Sequence, residues 1–197
     1  CKRVKTAEKG NVLVVRLAPH LSLDINLLNR HFISNSSCGV CGKSAIDAIS
    51  CNELPLEADS SIITASQLIK LNQMIEKEQT IFKYTGGIHA TALFDLNGNL
   101  IILREDVGRH NAFDKMVGAA FQANLLPLNN YLVMLSGRIS FELVQKAIRA
   151  RIPIIAAVGA PSSLAVSLAK AKGLTLIGFL KPNRFNVYCG EERVEMD

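Results

Sequence analysis

The chain is 197 residues long, 49% hydrophobic and 20% charged, with 22 Lys and Arg against 17 Asp and Glu, a formal net charge of +5. That length and balance suit one domain with a sizeable core plus a small appendage, and exclude a disordered chain. No apolar run amounts to the roughly 18 uninterrupted residues that a bilayer span needs, because the longest, residues 152–169, is broken by Pro161 and by Ser162 and Ser163. No membrane partner is expected.

The polar start, CKRVKTAEKGN, has no initiator Met and no signal-peptide pattern. It reads as a fragment of a longer protein that lacks part of its N-terminal portion. The positive charge mildly favours anionic partners such as phosphates or nucleotides. No Lys/Arg tract interleaved with aromatics supports nucleic-acid binding. The five cysteines, at 1, 38, 41, 51 and 189, are an odd and scattered set. A disulfide scaffold is not expected, and the reducing cytoplasm is the natural compartment.

In chain order, residues 11–18 and 30–36 read as strands, 43–50 as a short helix with Ser44 at its N-cap, and 51–60 as a loop. A helix is predicted over 64–79, with Leu68, Leu71 and Ile75 on one face. Strands over 87–95 and 99–106 join through Asn97-Gly98, a hairpin signal in which both residues are expected at positive φ. Then come a helix (110–124), a buried strand (131–137), a helix (139–150), a strand (153–159), a helix (162–172) closed by Gly173, and a strand (174–180). The segment 178–188, with Lys181, Asn183 and Arg184, reads as a basic stretch following the last strand. Residues 1–59 are thus a remnant N-terminal segment plus a mobile loop, and 60–197 an α/β core.

Alternating buried strands and helices imply a mostly parallel sheet covered on both faces, with the hairpin adding an antiparallel pair. The expected architecture is a three-layer α/β core with a mixed sheet, and the order resembles the cytidine-deaminase-like fold. In open α/β sheets, ligands gather where strands end and helices begin. Three such junctions are 104–115, 136–142 and 159–165. Zinc deaminases need H-x-E at one and P-C-x-x-C at the next. Here His110-Asn111-Ala112 has no Glu, and no cysteine lies between Cys51 and Cys189, so the zinc deaminase site is absent.

The junctions instead carry groups suited to anions. Helix N-termini offer free N–H groups, Arg109 and Arg138 can grip phosphate through paired hydrogen bonds, and His110 and Ser136 stand beside them. Gly87 permits close ligand approach. His89 is either a core histidine bonded to backbone or a ligand-facing group. Asp106 and Asp114 either pair with Arg109 or cap the helix.

In SNSSCGVCGKSAID (34–47), Cys38 and Cys41 form a C-x-x-C pair. Structural zinc wants two further ligands; Cys51 and His31 are available, but no second pair exists. A thioredoxin-like redox pair lacks the rest of its fold. An inert pair is normally set in apolar sequence, whereas these cysteines sit among Ser and Gly. A nucleophilic thiol is the fourth reading, because Cys41 lies just before a predicted helix and near Lys43.

SCGVCGK, TGGIHATAL, REDVGRHNAFDK, SGRISFELVQKA and GLTLIGFLKPNRFNVY, in that order, resemble the signatures of the FdhD family of formate dehydrogenase accessory proteins, also described as sulfur carriers. The resemblance covers about residues 30–190. It implies a cytoplasmic homodimer that takes persulfide sulfur from a cysteine desulfurase. That sulfur passes to the molybdenum cofactor, in its bis-molybdopterin guanine dinucleotide form, for formate dehydrogenase. It implies Cys38 and Cys41 as the sulfur-handling pair, with Cys38 the first carrier. The implied cofactor-binding segment is Phe179, Leu180, Lys181, Pro182, Asn183 and Arg184, and a guanine nucleotide is expected to mimic the cofactor. No zinc is expected. Two departures stand out: Lys181-Pro182-Asn183 replaces an Arg-Gly-containing turn, and Gly159 stands where Ser is expected. The competing function is a cofactor-binding chaperone without sulfur chemistry; the third is a structural zinc protein.

Overall fold

The structure is a computed structural model and describes residues 2–3, 13–14, 18–20, 22, 55–56 and 62–196. The expected strand at 30–36, the helix at 43–50, Cys38, Cys41 and the alternative zinc ligands Cys51 and His31 lie outside the described residues. The chain forms two compact units, Cys1–Cys41 and Gly42–Asp197. In the first, β1 (Lys2–Arg3) pairs antiparallel with β2 (Leu13–Val14).

Among the described residues of the second unit, the first elements are β3 (Ile63–Thr64) and α1 (Ala65–Glu78). Thr64 caps α1 in a capping box: its Oγ1 accepts from the Gln67 N–H at 3.2 Å, and its own N–H donates to Gln67 Oε1 at 2.9 Å. A single-turn helix α2 (Phe82–Thr85) follows. Next come β4 (His89–Asp95), β5 (Leu100–Asp106), α3 (Arg109–Gln122) and β6 (Tyr131–Leu135). The chain continues through α4 (Phe141–Arg149), β7 (Ile154–Ala157), α5 (Ser163–Lys172), β8 (Thr175–Lys181) and β9 (Arg184–Cys189). A 3-10 turn at Glu191–Arg193 leads to β10 (Val194–Glu195), which pairs parallel with β3.

Six strands make one sheet in the order β5-β4-β6-β7-β8-β9. Only the β6–β7 and β7–β8 pairings are parallel; β5–β4, β4–β6 and β8–β9 are antiparallel. The sheet is therefore less parallel than the strand–helix alternation implies. One reason is β9, which the sequence reading took as a basic stretch after the last strand. Its Phe185 and Val187 alternate toward the α1 side of the sheet, and after a register shift Cys189 joins the core on the other face.

Strand alternation divides the core. Ala90, Ala92 and Phe94 of β4, Leu132 and Met134 of β6, and Ile154 and Ala156 of β7 meet Leu68, Leu71 and Ile75 of α1. On the other face, Leu93, Val133, Leu135, Ile155 and Ala157 meet α3, α4 and α5 through Phe113, Met116, Leu143, Val144, Ala147, Ala165 and Ala169. Strands β6 and β7, covered on both faces, are continuous apolar runs for that reason.

The β4–β5 turn corrects one expectation. Gly98 has φ 84°, but Asn97 is not at positive φ. Asp95 governs the turn: its carboxylate accepts from the N–H groups of Asn97 (3.0 Å) and Asn99 (2.8 Å), while its carbonyl accepts from Gly98 N–H (3.1 Å). A three-residue loop with one left-handed glycine results, which asks nothing unusual of Asn97.

Candidate functional site

Because β6, β7 and β8 run parallel and β4 runs opposite to β6, five segments end at one edge of the sheet. They are the start of β4, the β5–α3 junction, and the loops after β6, β7 and β8. The loops after β6 and β7 and the last part of β8 are stitched together by backbone. Gly159 N–H donates to Gly137 O (3.2 Å), Ile139 N–H to Ala160 O (3.1 Å), Ser162 N–H to Ile139 O (3.0 Å) and Phe179 N–H to Gly159 O (3.2 Å). A Cβ on Gly159 would lie 2.8 Å from the Arg138 nitrogen and from the Gly137 carbonyl carbon and oxygen. Glycine is thus what the stitching requires at 159, and the serine expected there would collide with fixed backbone.

The edge gathers the sequence-predicted residues. His89 opens β4 opposite Asp106, and its ring lies against Gly137, where an added Cβ would meet Nδ1 at 3.0 Å. Burial holds His89 below the usual imidazole range, and the guanidiniums of Arg109 and Arg138 push it the same way. Three residues from separate segments therefore sense one another electrostatically, and the two cations favour a neutral imidazole. Arg138 is exposed, as is Gly87.

Ser136 has a structural task. Its hydroxyl accepts from Ala90 N–H at 2.8 Å and its own N–H donates to Ala90 O at 3.0 Å, which prolongs the β4–β6 ladder past the end of the strand.

The acidic residues find partners other than those expected. Asp106 is ion-paired with Lys115 and accepts from Gly108 N–H (3.0 Å) and Asn111 Nδ2 (3.2 Å). The Lys115 contact, first among these, holds its carboxyl down to about 2. Asp114 pairs with Lys146 of α4. Both carboxylates thus brace the start of α3.

His110 reaches across to α4, where its Nε2 lies 2.8 Å from Ser140 Oγ and 3.6 Å from Glu142 Oε2. Burial first, then Arg109, keeps its pKa below the usual value, while Glu142 opposes them. Ser140 and Glu142 are site residues that the sequence reading absorbed into a helix. The signal was the Ser-x-Glu at the start of an amphipathic run, which marks a helix N-terminus.

The Phe179–Arg184 segment splits by role. Gly178 pairs with Asn186 and Lys181 with Arg184, so β8 carries one extra residue, a bulge. At that bulge Phe179 takes φ 53° and is 41% exposed. A bulky residue in the left-handed region stores about 1–3 kcal/mol of strain. Leu180 is fully buried in the α1-side core, so its side chain packs the interior. Lys181, Pro182, Asn183 and Arg184 are exposed in a tight turn between β8 and β9. Neither Pro182 nor Asn183 has positive φ. Proline at the first corner suits such a turn, so Lys-Pro-Asn makes it without a left-handed glycine.

A concavity of about 680 Å³ lies elsewhere, between β5 and α3 beside Leu103, Arg104, Lys115 and Gly118. Cations, strain and a part-buried histidine–serine contact mark the loop edge. Cys189 is buried, its thiol donates to Leu174 O at 3.2 Å, and burial pushes its pKa up, so it is chemically quiet. Among the described residues no group of three His, Cys, Asp or Glu could hold a metal, and no helix is long and apolar enough to cross a membrane.

Comparison with known proteins bears on this edge. The model of the FdhD/NarQ family matches residues 2–195. A Streptomyces avermitilis protein named sulfur carrier protein FdhD is 47% identical over 188 residues, 94% of this chain and 67% of the relative. A Mycobacterium tuberculosis protein of the same name is 45% identical over 189 residues, 95% of this chain and 68% of the relative. A crystal structure described as a formate dehydrogenase accessory protein from Desulfotalea psychrophila superposes with a TM-score of 0.67 at 32% identity. That match covers 76% of this chain and 62% of that one. The chain thus spans about two thirds of these relatives' length. With a family match across nearly all its residues and relatives of this identity, the chain belongs to the FdhD/NarQ family.

Proposed function

We propose that this protein is a sulfur carrier in the maturation of formate dehydrogenase. Cys38 and Cys41 handle the sulfur, and the loop edge holds the molybdenum cofactor as substrate. The observation that carries this reading is the convergence of His89, Arg109, Arg138 and the strained Phe179 at the stitched ends of β6, β7 and β8. Cations beside helix N-termini suit the phosphates of a guanine dinucleotide. An exposed aromatic ring offers the base a stacking face. Curated relatives named as sulfur carriers support the same role, and the three-layer arrangement supports a cytidine-deaminase-like core.

In the proposed chemistry a Cys38 thiolate attacks the outer sulfur of a cysteine desulfurase persulfide. A new S–S bond forms on Cys38, and the desulfurase cysteine leaves as thiolate. Cys41 assists release to the cofactor. A cytoplasmic homodimer that meets both the desulfurase and formate dehydrogenase is part of this proposal.

Incubation with a cysteine desulfurase and cysteine is expected to add about 32 Da per sulfur on Cys38 or Cys41 by mass spectrometry. No gain on either, under conditions that load a known acceptor, overturns sulfur transfer. The competing reading, a cofactor chaperone, draws on the described edge being a binding surface. Cys38→Ala separates the two: a chaperone still supports formate dehydrogenase activity, a sulfur carrier does not.

A further inference from the structure

Ser140 occupies the N-cap of α4 but does not cap it. An N-cap serine ordinarily accepts from a first-turn N–H, as Ser162 does at the start of α5, where its Oγ accepts from Ala165 N–H at 3.2 Å. Ser140 is only 5% exposed, so its hydroxyl has few choices. It has been drawn sideways to His110 Nε2, 2.8 Å away on α3. Glu142 Oε2 stands 3.6 Å from the same nitrogen and is buried without a hydrogen-bond partner. One ring nitrogen therefore faces two oxygens and bonds to one.

We propose that His110 is a positioning residue: its neutral Nε2 accepts the Ser140 hydroxyl proton, keeps Ser140 out of the cap, and leaves the first-turn N–H groups of α4 open to the anionic group of the substrate. The ligand half of this inference rests on the loop edge being the cofactor surface. When Nε2 takes a proton from solvent it can no longer accept. The imidazolium then donates to Glu142 Oε2, the acceptor that lacked a partner, and Ser140 turns to cap α4. The N–H groups that Ser140 occupies are lost to the ligand. No covalent bond other than N–H changes.

The groups acting on the ring are Arg109 and Asp114 from α3 and Glu142 and Lys146 from α4. Asp114 and Lys146 are paired with each other, which leaves Arg109 and Glu142 as the opposing influences. With burial the largest cause, the ring is neutral at neutral pH and the change of state falls below the ordinary value of 6.5. Added positive charge alone strengthens anion binding as pH falls; the cap exchange predicts the reverse.

Two measurements test this. In the free protein, amide hydrogen exchange at residues 141–143, corrected for intrinsic pH dependence, is expected to slow as pH falls through the His110 titration. Ser140→Ala is expected to abolish that slowing, and equal behaviour of the two proteins overturns the cap exchange. The second measurement is calorimetric binding of guanosine diphosphomannose, a diester that does not titrate near the phosphate pKa of about 6. From about pH 7.5 to about pH 5.5, wild-type affinity is expected to fall about fivefold, the equivalent of one N-cap bond. His110→Gln, a neutral acceptor of similar reach, is expected to lose this weakening, and the pH dependence that remains is that of His89, whose protonation adds positive charge to the same edge. His110→Ala is expected to bind weakly throughout, and His110→Ala with Ser140→Ala to regain the affinity. A double variant as weak as His110→Ala, or wild-type binding with the same pH dependence as His110→Gln, overturns the proposal. If the nucleotide binds at no pH, the cofactor reading of the edge fails, and the exchange measurement still decides the role of His110.

Discussion

The two ends of the sheet solve their backbone problems differently. At the end away from the candidate site, left-handed residues do routine work. Asn124 (φ 56°) and Arg151 (φ 63°) sit one residue beyond the caps of α3 and α4, where helices commonly stop in that conformation. The Asp95 turn is likewise complete, its carboxylate accepting from Asn97, Asn99 and the Asn99 side chain. At the loop edge Phe179 takes a similar φ inside a strand, where no helix has to end. Left-handed strain inside a strand at one end, against left-handed residues that end helices or form turns at the other, is what a binding surface leaves in a fold.

That contrast can be broken at its base first. Leu71→Ala hollows the α1-side core, where Leu71 is 1% exposed, and is expected to cost about 2–5 kcal/mol by urea denaturation. Because the cavity lies on the α1 side, nucleotide affinity of the folded fraction should hold; a parallel loss of affinity would show that the edge depends on that core. Gly159→Ser forces a side chain into the Gly137–Arg138 backbone and is expected to cost about 1–3 kcal/mol. Here the affinity should fall as well, and a variant of unchanged stability would mean that the stitched loops yield easily.

Phe179→Gly sharpens the comparison. Relief of left-handed strain offsets the lost ring contact and the added chain entropy, so stability should move by less than about 1 kcal/mol. Guanine-nucleotide binding should weaken nonetheless, whereas Arg151→Gly at the other end should leave it alone. Equal binding in both variants would remove Phe179 from the site.

The smallest effect concerns Asp106. Its folded pKa, about 2, lies below the ordinary 3.8. Its stabilising contribution is therefore present above pH 3.8 and fades as pH falls from there toward 2. Lys115→Ala should return the carboxyl toward 3.8 in an NMR titration, and no movement would show that Lys115 is not the main cause.

Much of the core was legible because local chemistry was unambiguous. Leu68, Leu71 and Ile75 recur at helical spacing, and strands β6 and β7 are apolar on both faces because both faces are covered. The strand β9 was missed although Phe185 and Val187 alternate: basic residues at 181 and 184 suggested a loop, and only pairing with β8 makes them the corner of a hairpin. The acids at 106 and 114 were expected near Arg109, but their lysine partners arrive from one turn along α3 and from α4.

The sequence alone determined which residue types the protein brings to its chemistry: the C-x-x-C pair, the glycines and cations at the strand–helix junctions, and through their order the family. Spacing along a chain reports local periodicity, so it could also determine helices and buried strands. Tertiary structure decided which of those residues meet. Arg109 and Arg138, from separate segments, both act on the charge of His89 because β4 runs opposite to β6. Gly159 is required because the loops are stitched backbone to backbone. Ser140 abandons its helix because a histidine 30 residues away in sequence lies 2.8 Å away in space. Such contacts follow from strand order and register, which arise from packing of the whole sheet and are carried by no single stretch of sequence.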